Sequence, residues 1–529
     1  MEKRLTLAAA AALLAVIGFL PLLTMVTNSF FVDGLFSLKA YQALWDSGRQ
    51  QLVLMGQSVL LSLYVTFLAT VVGVPLGVLL GKTDLPFRLT LTVLLTLPLL
   101  IPPYVIAVAW FAVLGSGSWI SSLAPETSKY LSTAYFGLYG CTGVLFTTFV
   151  PIVILLTIAY VGAVNPRLED AGRLVSRWPG VLRRITLPLI APAILFAAVL
   201  VFLLTLGEVG VPTYLRYPVY PVETLTQFAA FYNFSAATAA VIPLLVVTLV
   251  VLALEYPILH NQVSELRTVT FGGMRTQIKL GRWRLPLLGI VSVWGLVTVA
   301  LPLAVLIAQS SSLSAYADAF ARASDSILRS LVFAIVGASL LTLLGFFCGY
   351  LIHNRTLPVW RGIDALTLFL FTLPGTVVGI GLISLWNRPI SNFIYGTPAI
   401  IILGYLAQYA VLPTRMTSTI LDRIPRSLEQ AAQLCGTSWF TTLRHIVVPL
   451  ARRGLIAVWI IGYVFCLRDL GVSIVVYPPG SDTLPVRILT LMANGTPSLI
   501  AALCVILIVV TLLPVGAVAL WSGRDRIGA

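Results

Sequence analysis

The sequence predicts an all-α membrane protein of about 12 transmembrane helices in two pseudo-twofold-related six-helix halves. Three observations carry that expectation. Of the 529 residues, 59% are hydrophobic and only 10% charged, with a mean hydropathy of +0.99, whereas about a quarter of a soluble domain is charged. Apolar runs of spanning length recur from end to end. The second half also repeats the first: Ser58, Gly73, Gly77, Leu85 and Pro86 return at one common offset as Ser330, Gly345, Gly349, Leu357 and Pro358, and Thr96-Leu97-Pro98 returns as Thr372-Leu373-Pro374. Six spans bring a chain back to its side of entry, so the repeat is parallel, about an axis along the membrane normal. The solute pathway is expected on that axis.

Taken in order, Met1-Glu2-Lys3-Arg4 precedes an apolar run at about 5–26 that is long for a signal-peptide core and lacks a small-x-small cleavage site before Asn28. It reads as an uncleaved first span with a cytoplasmic amino end. Further runs lie at about 53–81, 89–113, 135–162, 188–206, 236–256, 285–308, 329–352, 363–386, 397–419, 455–477 and 498–521. Residues 257–284 are the longest polar stretch near the middle and read as a cytoplasmic linker between a first half, 1–256, and a second, 285–529. Most of the 33 Lys and Arg then fall in cytoplasmic loops, the positive-inside bias of a bilayer protein. The net charge of +14 therefore sets orientation, implies no nucleic-acid partner, and leaves both termini cytoplasmic. Breaks inside spans, at Pro98, Pro102, Pro103, Pro374, Gly375 and Gly379, either line an interface or cavity or are simple kinks against buried neighbours.

Several chemistries are excluded. Cys141, Cys348, Cys435, Cys466 and Cys504 are scattered singly, so they read as buried thiols with no disulfide and no metal site. His260, His353 and His445 are the complete set of histidines, and no nucleophile constellation accompanies them. Gly77-Val78-Leu79-Leu80-Gly81-Lys82-Thr83 looks like a phosphate loop but has three residues between its glycines instead of four and ends a span. Lys82 reads as an ordinary cytoplasmic anchor. Spans and short loops use up the chain, so any catalytic engine belongs to another polypeptide.

Between the fourth and fifth spans of each half lies a polar, basic island. The first runs Glu169-Asp170-Ala171-Gly172-Arg173-Leu174 and leads to Ile185-Thr186-Leu187-Pro188; the second runs Glu429-Gln430-Ala431-Ala432-Gln433-Leu434 and leads to Ile446-Val447-Val448-Pro449. Each follows a proline, Pro166 or Pro425, and is rich in helix formers. Each reads as a short amphipathic helix whose small residues, Ala171 and Gly172 or Ala431 and Ala432, permit close approach by a partner. A helix lying on the headgroups would also explain Arg183, Arg184, Arg444, Arg452 and Arg453, but duplication favours docking.

Here the chain resembles the permease subunits of binding-protein-dependent ABC importers. Their hallmark is Glu-Ala-Ala, three residues, Gly, nine residues, Ile-x-Leu-Pro. The second island keeps the spacing, from Gln430-Ala431-Ala432 through Gly436 to Ile446 and Pro449; the first has Asp170-Ala171-Gly172, Ser176 in place of glycine, and eight residues before Ile185 and Pro188. The resemblance implies a type I importer permease fold. Asp170, Ala171, Gly172, Ser176, Ile185 and Pro188, with Gln430, Ala431, Ala432, Gly436, Ile446 and Pro449, would then form two coupling helices. The same resemblance implies two cytoplasmic ATPase subunits that hold ATP and Mg, one extracytoplasmic binding protein, no cofactor in this chain, and a place in the bacterial inner membrane. The fused two-half layout is similar to importers of the ferric-iron type. Thiamine or aminophosphonate importers remain alternatives, as does an ion-gradient-driven secondary transporter from another class.

After the fifth span of each half, Leu206-Gly207-Glu208-Val209-Gly210 aligns with Leu467-Arg468-Asp469-Leu470-Gly471 at the offset of the island prolines. Glu208 and Asp469, with Arg468, are candidate gate residues, since an acid at the end of an apolar span faces water or protein rather than lipid. Oxygen ligands from these acids and from nearby tyrosines such as Tyr214, Tyr217 and Tyr477 would suit ferric iron. Alternatively, Asp469 pairs with Arg468 or Arg487, and Glu208 caps a helix. Tyr217, Glu223, Tyr477 and Asp482 lie in proline-rich segments outside the membrane and are candidates for docking a binding protein, unless those segments are lids over the helix ends.

Overall fold

The fold is described from a computed structural model, for residues 2–32, 35–46, 48–115, 126, 130, 133, 135–229, 234–266 and 277–524. Its helices include, in chain order, α1 (Glu2–Asn28), α2 (Gly48–Lys82), α3 (Arg88–Leu100), α4 (Pro103–Leu114), α5 (Leu138–Val161), α6 (Pro166–Val175), α7 (Trp178–Leu206), α8 (Gly210–Tyr214), α9 (Tyr220–Ala229), α10 (Phe234–Leu266) and α11 (Gly281–Gln309). There follow α12 (Leu313–Asn354), α13 (Trp360–Thr372), α14 (Gly375–Trp386), α15 (Ala399–Tyr409), α16 (Val411–Leu421), α17 (Arg426–Leu434), α18 (Trp439–Arg468), α19 (Ser473–Val476), α20 (Leu484–Leu491) and α21 (Pro497–Arg524). Among the described residues the one departure from helix that pairs strands is a minimal hairpin, Phe31–Val32 against Leu35–Phe36.

Among the described residues, nine helices are long and apolar enough to span, or up to 12 if each bent helix pair is one span. Two of the bends fall at the breaks expected inside 89–113 and 363–386, and the third lies at the start of 397–419. Helices α3 and α4 meet at 103°, α13 and α14 at 112°, and the helical segment Pro389–Tyr395 meets α15 at 80°. The cause at the first two is local: Pro102, Pro103 and Pro374 lack an N–H donor and disfavour the helical conformation of the residue before each of them. Leu373 and Pro374 are accordingly extended, with ψ of 144° and 136°.

The paired glycines of the repeat are packing devices. A Cβ at Gly73 would lie 2.7 Å from the Val153 Cβ and one at Gly77 2.5 Å from the Thr157 Cβ, so α2 can approach α5 only with glycine there. Gly345 and Gly349 do the same for α12 against α16, facing Pro413 and Thr414. The phosphate-loop look-alike is thus a helix surface closely packed on a neighbour.

The compact units cut across the sequence halves. One comprises Met1–Gly48, Glu223–Pro243 and Tyr316–Ala529; the other comprises Arg49–Val222 and Leu244–Ala315. The first span of each half is therefore built into the unit made mainly of the other half's helices. Helix α1 packs on α14, and α11 packs on α4. Both incoming spans carry a π-helical turn, at Ala15–Phe19 and Leu296–Ala300, followed by Leu20-Pro21-Leu22 and Leu301-Pro302-Leu303. The proline lacks an N–H and its ring crowds the preceding turn, so the helix widens there instead of breaking. Of the expected linker 257–284, residues 267–276 lie outside the described residues.

Candidate docking helices and span-end acids

The two islands are helix–turn–helix hooks rather than loops. In each, a short amphipathic helix, α6 or α17, turns into a second helix that runs without interruption into the span, α7 or α18. Asn165 caps α6 by accepting from the Arg167 N–H at 3.0 Å, and Pro166 takes the first helical position, where its missing donor costs nothing. The proline ending each island, Pro188 or Pro449, again follows a π-helical turn, Leu182–Thr186 or Leu443–Val447. The span expected at 455–477 accordingly begins at Trp439 and ends at Arg468, so 470–477 leave the span.

The turns explain why the two copies differ. After α17, Gly436 is left-handed, with φ of 75°, and the Thr437 N–H donates to the Ala432 carbonyl at 3.2 Å while the Gly436 N–H donates to Gln433 at 3.0 Å. This is the glycine-closed C-terminus that satisfies orphan carbonyls, and Ser438 then caps α18 through the Thr441 N–H. After α6, Ser176 is extended, with φ of −144°. Its hydroxyl fills space that Gly180 leaves, since a Cβ on Gly180 would lie 2.0 Å from it. Without a reversal to close, the first turn needs one residue fewer.

Each hook is held by an acid that the motif does not include, fully buried in the first and half-buried in the second. Glu169, in the first turn of α6, is 0% exposed; it pairs with Lys82, 4% exposed at the end of α2, and accepts from the Thr186 hydroxyl at 2.9 Å. Lys82 is therefore a buried ion-pair partner, not the surface anchor expected. In the second hook, Glu429 accepts from the Tyr350 hydroxyl at 2.7 Å, and that hydroxyl accepts from Trp439 Nε1 at 3.2 Å. The recurrence of Glu169 as Glu429 and of Trp178 as Trp439 was the sequence signal for these tethers.

The small residues divide their labour. Gly172 turns toward its own hook, where a Cβ would lie 2.4 Å from Ile185 Cδ1, and Ala432 is buried. Asp170, Ala171, Gln430 and Ala431 are exposed, as are Pro188 and Pro449, while Ile185 and Ile446 are half-buried. Each short helix also carries an uncovered leucine in its last turn, Leu174 at 88% and Leu434 at 89% exposure.

The span-end acids cap short helices. Glu208 Oε1, half-buried, accepts from the N–H groups of Gly210 and Val211 at 3.0 and 3.4 Å, the start of α8. Asp469, 4% exposed, accepts from the Ser473 N–H and hydroxyl at 2.8 and 2.7 Å and from the Tyr409 hydroxyl at 2.6 Å, fixing α19. Arg468 lies with its guanidinium 4.9 Å from the Phe465 ring centroid. Burial pushes the Tyr217 hydroxyl above its ordinary pKa, so it stays a neutral phenol, 3.5 Å from the Gln57 carbonyl. Among the described residues, no three His, Cys, Asp or Glu side chains converge on a point.

In the outer segments, Asp482 accepts from Ser326 and Arg329 of α12 at 2.9 and 3.1 Å, which pins the loop after Tyr477 onto that helix as a lid. Glu223 accepts from Gln227 within α9 at 2.9 Å, and Tyr477 is exposed. Ser58 accepts from the Tyr220 N–H at 2.8 Å, and Ser330 from the Leu484 N–H at 2.6 Å. Tyr220-Pro221-Val222 is thus the counterpart of Leu484-Pro485-Val486.

The sequence profile of the binding-protein-dependent transport system inner membrane component matches residues 73–258 and again 341–524. The chain belongs to that family. It is a fused permease, with the domain present twice in one polypeptide, and each copy holds one hook. It is similar to a protein named as a ferric transport permease, FbpB 1, in Haemophilus influenzae, at 23% identity over 416 residues, or 74% of this chain and 65% of that protein. It is also similar to the ferric transport system permease protein FbpB of Actinobacillus pleuropneumoniae, at 22% identity over 73% of this chain and 59% of that one. A relative named for 2-aminoethylphosphonate transport, PhnV of Salmonella paratyphi A, is 26% identical over 42% of this chain and 89% of its own length. The match to this permease therefore spans less than two thirds of the length of its ferric relatives.

Proposed function

We propose that this chain is the membrane subunit of an ATP-driven importer, and that α6 and α17 are the helices through which two cytoplasmic ATPase subunits drive it. One observation carries this reading. Two amphipathic hooks sit at equivalent places in a duplicated permease, each anchored inward by an acid, Glu169 or Glu429, and each presenting an uncovered leucine outward, Leu174 or Leu434. An exposed leucine on a short, firmly seated helix suits a groove in a partner. ATP and Mg would reside on that partner, and both termini of this chain would face it in the cytoplasm. A gradient-driven transporter has no use for such hooks. Co-purification with the cognate ATPase tests the proposal: Leu174→Glu with Leu434→Glu abolishes the complex while the permease still folds, and an unchanged complex would sink the reading.

Ferric iron is the proposed cargo, supported by the two ferric relatives. Glu208 and Asp469 would shape the gate by holding α8 and α19 in place, and the lid beside Tyr477 would receive the binding protein. Radioactive iron uptake into proteoliposomes, challenged with 2-aminoethylphosphonate or thiamine, decides the cargo. Uptake of a challenger in place of iron would reassign the substrate and leave the importer reading standing.

A further inference from the structure

The two hooks meet their spans differently, and a groove lies beside the second. In the first, Val161, Val164 and Ile190 form a sealed cluster, backed by Val78, Tyr160, Leu187 and Ile194. The repeat places Leu421, Ile424 and Ala451 at the positions of that cluster, with Gly454 for Ala193 and Arg423 for Ala163. With alanine in place of the Ile190 side chain, a cavity of about 330 Å³ opens, lined by Ile420, Arg423, Ile424, Leu428, Ala451 and Gly454. It is apolar except at its rim, where Arg423 is exposed.

Its position says what fills it. Leu450, Ala451 and Gly454 belong to the apolar span Trp439–Arg468, whereas Arg423 to Leu428 lie between spans. The groove therefore crosses the boundary between hydrocarbon and headgroups, with its apolar floor on one side and its cation on the other. Nor does it lie on the proposed docking side of α17. Leu428, which lines the groove, shares a helix face with Pro425 and the buried Ala432, whereas Ser427, Gln430 and Leu434 share another, because residues three and four apart lie on one face.

We propose that this groove binds an anionic phospholipid, with an acyl chain along Ile420, Ala451 and Gly454 and the phosphate on Arg423. A basic rim over an apolar cleft at headgroup depth is the chemistry such a lipid requires. Because Leu428 of α17 forms one wall, the bound lipid buttresses the second docking helix; the first needs none, since Ile190 fills the same space. The proposal rests on the membrane placement and not on the ATPase reading.

Native mass spectrometry of the full chain, extracted from nanodiscs of phosphatidylglycerol mixed with phosphatidylcholine, tests it. The wild type retains phosphatidylglycerol selectively. Arg423→Gln lowers that retention about fivefold, the effect of one cation near an anionic surface, and leaves phosphatidylcholine unchanged. Ala451→Ile, which installs the first hook's own residue, removes the bound lipid without lowering the unfolding temperature. Equal lipid retention in all three proteins overturns the proposal, as does loss of ATPase binding in Ala451→Ile with lipid retention intact, which would give the groove to the partner. Should Ala451→Ile fail to fold, Arg423→Gln alone decides.

Discussion

At the scale of single residues, the most consequential side chains lie beside the motif rather than in it. The Lys82 and Glu169 pair is almost fully excluded from water, and a buried charge left without its partner costs about 3–5 kcal/mol. Glu169→Gln alone should therefore destabilise the protein strongly, and Lys82→Met with Glu169→Leu should destabilise it much less. Thermal unfolding of the purified variants measures both, and equal losses would mean that the pair is not mutually compensating. Asp469 poses a sharper choice. As the acceptor of three hydrogen bonds, Asp469→Asn should cost about 1–3 kcal/mol and reduce transport only as far as it reduces stability. Transport lost at unchanged stability would return Asp469 to the pathway as a gate.

At the scale of elements, the two hooks solve one problem with different turns. Gly436 holds a left-handed conformation that costs an ordinary L-residue about 1–2 kcal/mol, whereas Ser176 is extended, a conformation open to any residue. Gly436→Ala should thus destabilise α17 and Gly436→Asn should do so less, since asparagine tolerates that conformation best after glycine; hydrogen exchange across Arg426–Leu434 reads the difference. For the same reason Gly436→Glu should reduce ATP-driven uptake more than Ser176→Glu. Equal effects would mean that charge at the turn, not backbone strain, is what matters. The motif departures visible in the sequence, serine for glycine and one residue fewer, are a single structural event: a turn that no longer reverses through glycine drops the residue that closed it, and Gly180 makes room for the serine.

At the scale of the whole molecule, the exchange of first spans binds the sequence halves together. Met1–Gly48 belongs to the unit of Tyr316–Ala529, and Leu244–Ala315 to that of Arg49–Val222. A chain cut between 267 and 276 should therefore yield two pieces that accumulate only when expressed together and then co-purify. A stable, monodisperse N-terminal piece on its own would contradict the exchange. The family profile is consistent with this arrangement, because its two matches begin at 73 and 341 and omit both exchanged spans.

Composition and hydropathy by themselves determined that this chain is helical and lives in a bilayer, because the cost of burying unpaired backbone polar groups in hydrocarbon leaves few other options. The internal repeat determined that it is a duplicated chain with two equivalent islands, because paired glycines, prolines and island acids recur wherever the same packing recurs. Tertiary structure alone decided which residues hold those hooks. Lys82 reaches Glu169, and Tyr350 reaches Glu429, across 87 and 79 residues, and no local pattern states such a pairing. It also decided that spans 89–113 and 363–386 bend through more than a right angle, that Asp469 is spent on capping, and that the first span of each half packs on the other half's helices. Those outcomes depend on which distant surface is available to satisfy a buried charge or cover an apolar face, and that is settled only once the helices have assembled.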